Sequence, residues 1–229
     1  MLPDKNIEVS YGQMLACVAA QLDLTTHQDM KRLEARLKQL RSKAQIPPQG
    51  ARNLGPNARY DFSELWKLCF VFAMVDLSVD TLRAAMIISF YWQTIDVALA
   101  DAWISRETHA NDPIFVEAFP GLIDGFTKLD KPLDWIRAEG LKQQSQKPLP
   151  LIWVDRMSVL FSTDSAGRFP PNQDFRPRVG CTLINLTALA IKIGSIIVEK
   201  NFLSFVELDE YFLDIRFAAD KEHGRLPLT

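Results

Sequence analysis

Side chains suited to metal or redox chemistry are scarce in this chain: its 229 residues include three cysteines and three histidines. Cys17, Cys69 and Cys181 lie far apart, each among apolar neighbours. No CxxC pair is present to hold zinc, and the odd count argues against a disulfide framework. The thiols read as small core residues of a protein kept reduced in the cytoplasm. His27, His109 and His223 are just as scattered, so no histidine metal site is expected. Long uncharged apolar runs are also missing. The longest, LRAAMIISFYWQTIDVALADAW, contains Gln93, Asp96 and Asp101. A membrane span needs about 20 nearly uncharged residues, so this segment reads as a buried helix with a polar edge. The opening MLPDKNIEVS lacks the basic-then-apolar order of a secretory signal. The patterns GxxxxGK[ST], GxSxG, HExxH and GxGxxG do not occur. Neither enzymatic activity nor a cofactor is therefore expected.

What is present is charge sorted by region. Hydrophobic residues make up 48% and charged residues 24%, with a net charge of −2, which is ordinary for a folded soluble chain. That small total hides an excess. Residues 28–59 carry eight basic side chains (Lys31, Arg32, Arg36, Lys38, Arg41, Lys43, Arg52, Arg59) against Asp29 and Glu34, a net +6. The rest of the chain is correspondingly acidic. A skew of this kind is informative about partners where total charge is not.

The periodicity of the chain predicts helices with readable starts. Ser10 and Gln13 have capping-box spacing, and Leu15, Val18, Ala19 and Leu22 recur on one face behind them. Thr26 with Asp29 opens a second helix, whose Met30, Leu33, Leu37, Leu40 and Ala44 form an apolar stripe. Most of its basic residues point the other way. Pro47 and Pro48 stop it, and Gly50, Gly55-Pro56 and Asn57 suit turns. Extended arms on either side of Gly55 predict a small β-hairpin, a wing, with Tyr60 anchoring its return strand. Asp61 and Glu64 open a third helix over about 62–75. Ser78 is the predicted cap of a long fourth helix, 79–105, whose apolar surface requires cover from the C-terminal region or from a second subunit. SRETHANDP, residues 105–113, reads as a domain boundary.

Beyond it, PLDWIRAEGLKQQ suggests a short helix, LPLIWVDRMSVLFS one or two strands, and residues 163–180 a loop. CTLINL reads as a strand ending at Asn185, which caps the helix LTALAIKIGSIIVEK. Ser204 and Glu207 open a last helix, and the tail from Glu222 is expected to fray. The fold class expected is mainly α. An N-terminal winged helix-turn-helix with its long helix fills residues 1–105, and a smaller α+β domain fills 112–229.

Helix, short turn, basic helix and wing is the plan of a DNA reader. Cations on an exposed helix face gain counterion-release free energy on a duplex, and the major groove admits one α-helix with its N-terminal side chains at base edges. Those side chains are Thr25, Thr26, His27, Gln28, Lys31 and Arg32, with Gln28 suited to adenine and Arg32 to guanine. Lys38 follows on the backbone side; Arg52, Asn53 and Arg59 of the wing reach an adjacent phosphate or the minor groove. LEARLKQLRSKAQIPP, GARNLGPNARYD and FSELWKLCFVFAMVDLSVDTLRAAMII together resemble the DNA-binding domain of MerR-like winged helix-turn-helix regulators, over residues 10–100. LEARLKQLR stands where that family carries LRYYE, and GPNARYD where it carries GYRxY. The resemblance implies a sequence-specific transcription regulator of double-stranded DNA, with a homodimer built on the long helix. Metal sensing is not implied, since no cysteine arrangement for it is present. The C-terminal half is left for dimerisation, a small effector or a protein partner. The alternative is a non-enzymatic adaptor whose basic helix meets an acidic protein.

Overall fold

The computed structural model describes residues 7–47, 58–118, 152–157 and 182–222. The predicted hairpin tip with Arg52 and Asn53, the helix near 133–143, the loop 163–180 and the tail from His223 lie outside the described residues. Among the described residues the protein is mainly helical, with two small antiparallel sheets.

Strand β1 (Glu8–Ser10) runs straight into α1 (Tyr11–Gln21). Ser10 ends the strand and caps the helix. Its hydroxyl accepts from the Gln13 N–H at 3.2 Å, while Gln13 Oε1 accepts from the Ser10 N–H at 2.8 Å. The reciprocal pair satisfies two donors that a first turn otherwise leaves open. At the other end Asp23 takes a left-handed φ of 54°. The Asp23 N–H then reaches the Ala20 carbonyl and the Leu24 N–H the Ala19 carbonyl, the Schellman closure of a helix. The helices Phe62–Asp76 and Leu186–Glu199 end the same way, at Ser78 and Asn201.

Helix α2 (His27–Ala44) follows the five-residue connection. Leu33, Leu37, Leu40 and Ala44 are buried, as the stripe predicted. Each fully buried leucine contributes roughly 1.5–3 kcal/mol, enough to hold a helix whose polar face gains little from packing. Then β2 (Arg59–Asp61) leads directly into α3 (Phe62–Asp76). Tyr60 is buried, as expected of the return strand. The partner of that strand is β1: Glu8 faces Asp61, Val9 faces Tyr60 and Ser10 faces Arg59. Tyr60 is therefore fixed by a strand ahead of α1, which the sequence did not signal. Three residues are too short for an alternating pattern to register.

Helix α3 is the central rod, with Leu65, Trp66, Leu68, Cys69, Phe70, Val71, Phe72 and Met74 all buried. Burial on every side explains why a single apolar face is not visible in its sequence. Cys17 and Cys69 are free and buried. Burial pushes the Cys17 thiol up to about 12 and that of Cys69 well above its usual range, so both behave as inert core residues.

Helix α4 (Thr81–Ile104) is capped by Asp80, whose carboxylate accepts from the N–H groups of Leu82 and Arg83 at 3.0 and 3.2 Å. Ser78 is thus not its cap. Ser78 sits in the left-handed position that closes α3, a role a short polar side chain tolerates. The apolar surface of α4 is covered within the same chain. Strand β3 (Ile114–Ala118) lies between β4 (Ile152–Arg156) and β5 (Thr182–Asn185) in an antiparallel sheet. Asn185 caps α5 (Leu186–Glu199), accepting from the Ala188 N–H at 2.9 Å. Ser204 and Glu207 form the predicted box ahead of α6 (Phe205–Glu222). Helices α5 and α6 both pack on α4.

The predicted boundary at 105–113 separates elements that share one core. A continuous cluster of buried residues runs from Val9 to Ile215. Trp103 Nε1 donates to Asp209 at 2.7 Å, and the Trp103 ring lies 5.4 Å from that of Phe212. Phe62 and Tyr211 meet edge to face at 4.9 Å. No described helix is long and apolar enough to cross a membrane.

Candidate nucleic-acid interface

The start of α2 is held by Thr26, whose hydroxyl accepts from the Asp29 N–H at 3.1 Å and bonds the Asp29 carboxylate in return. This cap leaves Thr25, Thr26, His27 and Gln28 exposed around the helix N-terminus. Lys31, Arg32, Arg36, Lys38 and Lys43 are exposed along the same helix. With eighteen residues at about 1.5 Å each, the basic surface extends along a rod of about 27 Å.

The two acids of the segment do not neutralise that surface. Asp29 is engaged in the cap, and its contact with Arg32 is 3.8 Å long with the arginine 69% exposed, a pair worth little in water. Glu34 lies toward α1: burial first and then Glu34 push the Tyr11 hydroxyl up, while Arg41 acts in the opposite sense. Arg41 turns inward as its position near the apolar edge predicted, with its guanidinium 6.0 Å from the Tyr60 ring centre. Among the described residues no carboxylate pairs with Lys31, Arg36, Lys38 or Lys43.

Arg59 is exposed on β2. The Arg41–Tyr60 contact links that strand to the last turns of α2, while Arg59, next to the buried Tyr60, points away from the core. Of the ten residues singled out in the sequence, eight are therefore exposed on α2, its cap or β2. Arg52 and Asn53 lie outside the described residues.

A second polar cluster was not flagged in the sequence. Glu64 is 8% exposed; its Oε1 accepts from Lys67 Nζ at 2.6 Å. Lys67 also lies 5.4 Å from the Trp92 ring centre. Asp96, on the same face of α4, is pushed up to about 7 by burial, with Lys67 acting in the opposite sense. The signal available was weak: an acid and a lysine at i and i+3 is the commonest pattern of a solvated helix face. Only the packing of α3 against α4 distinguishes this pair.

Among the described residues no group of three or more His, Cys, Asp or Glu is arranged to hold a metal. No protein-family model, curated protein or solved structure matches the chain. Among the described residues the architecture is that of a mainly helical protein with a basic helix, α2, and a small two-stranded sheet.

Proposed function

We propose that this protein is a sequence-specific DNA-binding transcription regulator that docks α2 in the major groove. The observation that carries the reading is the unopposed cationic surface of α2, from its capped N-terminus to Lys43. An α-helix fits the groove, and its first turns approach base edges. Thr25, Thr26, His27 and Gln28 serve as readers, and Lys31, Arg32 and Lys38 contact phosphates. Arg59, with Arg52 and Asn53 of the wing, lies on the adjacent backbone. This is the winged helix-turn-helix arrangement of MerR-like regulators, acting as a cytoplasmic homodimer without catalysis. The C-terminal elements serve pairing, an effector or a protein partner.

The test is fluorescence anisotropy of the full chain with random duplex DNA across a salt series. Micromolar or tighter binding that weakens steeply with salt is expected. Replacing both Lys31 and Arg32 with alanine removes two cationic contacts, so the slope of log K against log salt falls by about two. Affinity at low salt drops about tenfold or more. An unchanged slope in the folded double variant overturns the docking face. Absent binding at low salt transfers the basic helix to an acidic protein partner.

A further inference from the structure

The cations of α2 are not spread evenly over its outer face. The buried stripe Leu33, Leu37, Leu40 and Ala44 fixes which side points outward. At about 100° per residue, Gln28, Ala35, Gln39 and Ser42 fall in one band about 60° wide on that outward side. Each of them is exposed and none is charged. Lys31 and Lys38 border the band on one shoulder; Arg32, Arg36 and Lys43 border it on the other. The Ser42 hydroxyl donates to the Gln39 carbonyl at 3.1 Å, so that donor is already used within the helix.

The dimensions of a duplex match this layout. A helix with its side chains is about 10–12 Å across, and the major groove is about 12 Å wide. A helix lying lengthwise puts its outermost band on the groove floor and its two shoulders against the phosphates of opposite strands. A helix entering by its tip alone leaves the later residues of the band, and the cations beside them, in solvent. There Arg32 and Arg36, four residues apart, repel each other along the helix; a phosphate wall offsets that repulsion. The band also has a chemical preference. Glutamine bonds adenine at both N6 and N7, and a small apolar side chain fits the thymine methyl.

On the footing of the DNA docking proposed above, we infer that α2 lies lengthwise in the major groove and that Ala35 and Gln39 read bases beyond its first turns. Gln28 and Gln39 lie about 16 Å apart along the axis, which is about five base pairs at about 3.4 Å each. They take adenines at that separation, and Ala35 meets a thymine methyl between them. The ligand is duplex DNA with A·T pairs across the centre of the contact.

The test is selection of bound duplexes from a random pool, with the full chain and with Gln39→Ala. The parent is expected to enrich two adenines about five base pairs apart; the variant keeps one and loses the other. On the duplex enriched by the parent, Gln39→Ala binds about fivefold to a hundredfold more weakly. Its salt slope is unchanged, because no cation is removed. Ala35→Leu adds bulk at the same charge and also weakens binding. Circular dichroism checks both folds. Salt-dependent binding that enriches no such pair of adenines, an unaltered preference in folded Gln39→Ala, or full affinity in folded Ala35→Leu each overturns the lengthwise placement and leaves the docking face standing. Absence of binding to any duplex at low salt overturns both.

Discussion

A single carboxyl on α4 makes stability depend on pH in an unusual direction. Asp96 Oδ1 is buried without a partner. The groups around it are Lys67 of α3, which favours its charge, and Tyr211 of α6, whose hydroxyl is pushed up by burial and then by Asp96, Asp61 and Glu64. An acid raised from 3.8 to about 7 binds its proton more tightly in the folded chain than in the unfolded one. Its contribution is therefore favourable below pH 4, declines as pH rises from about 4 to about 7, and is fully lost above that. The full effect is a few kcal/mol at most, at about 1.4 kcal/mol per unit. Asp96→Asn removes the titration while keeping the shape. Chemical denaturation is expected to show the variant more stable than the parent at pH 8 by about 1–3 kcal/mol, with the gain shrinking toward pH 4. A gain independent of pH would remove Asp96 as the titrating group. None of this is readable from the sequence, where Asp96 looks like the wet edge of an apolar helix. The sequence carries the residue, and only α3 and α6 reveal its surroundings.

At the scale of elements, helix starts were the most legible feature. Ser10, Thr26, Asn185 and Ser204 each cap the helix expected of them, because capping is a local contact within three residues. Helix ends were less legible. Closure at Asp23, Ser78 and Asn201 uses non-glycine residues, so the usual glycine marker is missing and Ser78 is easily mistaken for a start. Glycine appears instead where two helices touch. A Cβ at Gly194 of α5 would overlap the buried Trp103 ring of α4. Gly194→Ala raises helix propensity by about 1 kcal/mol, yet overpacking costs about 1–3 kcal/mol and more when an indole must move. The expected result is net destabilisation, seen as a lower urea midpoint. A neutral or higher midpoint would mean that α5 can move away from α4 at little cost. The short strands were the least legible. β1 and β3 escape a sequence reading because their pairing partners lie far along the chain, and pairing rather than pattern defines them.

For the whole molecule, the N-terminal half depends on the C-terminal one. Trp103 illustrates the dependence: its indole donates to Asp209, stacks beside Phe205 and lies under the Arg106 guanidinium at 4.3 Å. Arg216 of α6 adds an ion pair to Asp101 at 2.8 Å. A fragment of residues 1–105 lacks these covers and exposes the apolar faces of α3 and α4. It is expected to aggregate or to lose any cooperative unfolding transition by calorimetry, whereas the full chain unfolds in one. A fragment that stays monomeric and melts cooperatively would restore the boundary read at 105–113. The polar composition of that segment signalled a turn, and a turn inside one core has the same composition as a linker. The exposure of Lys31, Arg32, Arg36, Lys38 and Lys43, by contrast, was legible, because charge on a surface helix needs no distant partner. The joints between sheet and helix carry a further implication. Ser10, Asp61 and Asn185 each end a strand and abut the first residue of a helix with no connection between. One residue inserted at such a joint would turn the whole following helix by about 100° and swing its packed face out of the core. Over evolutionary time, changes in chain length are thus barred from these three points and confined to the connections elsewhere.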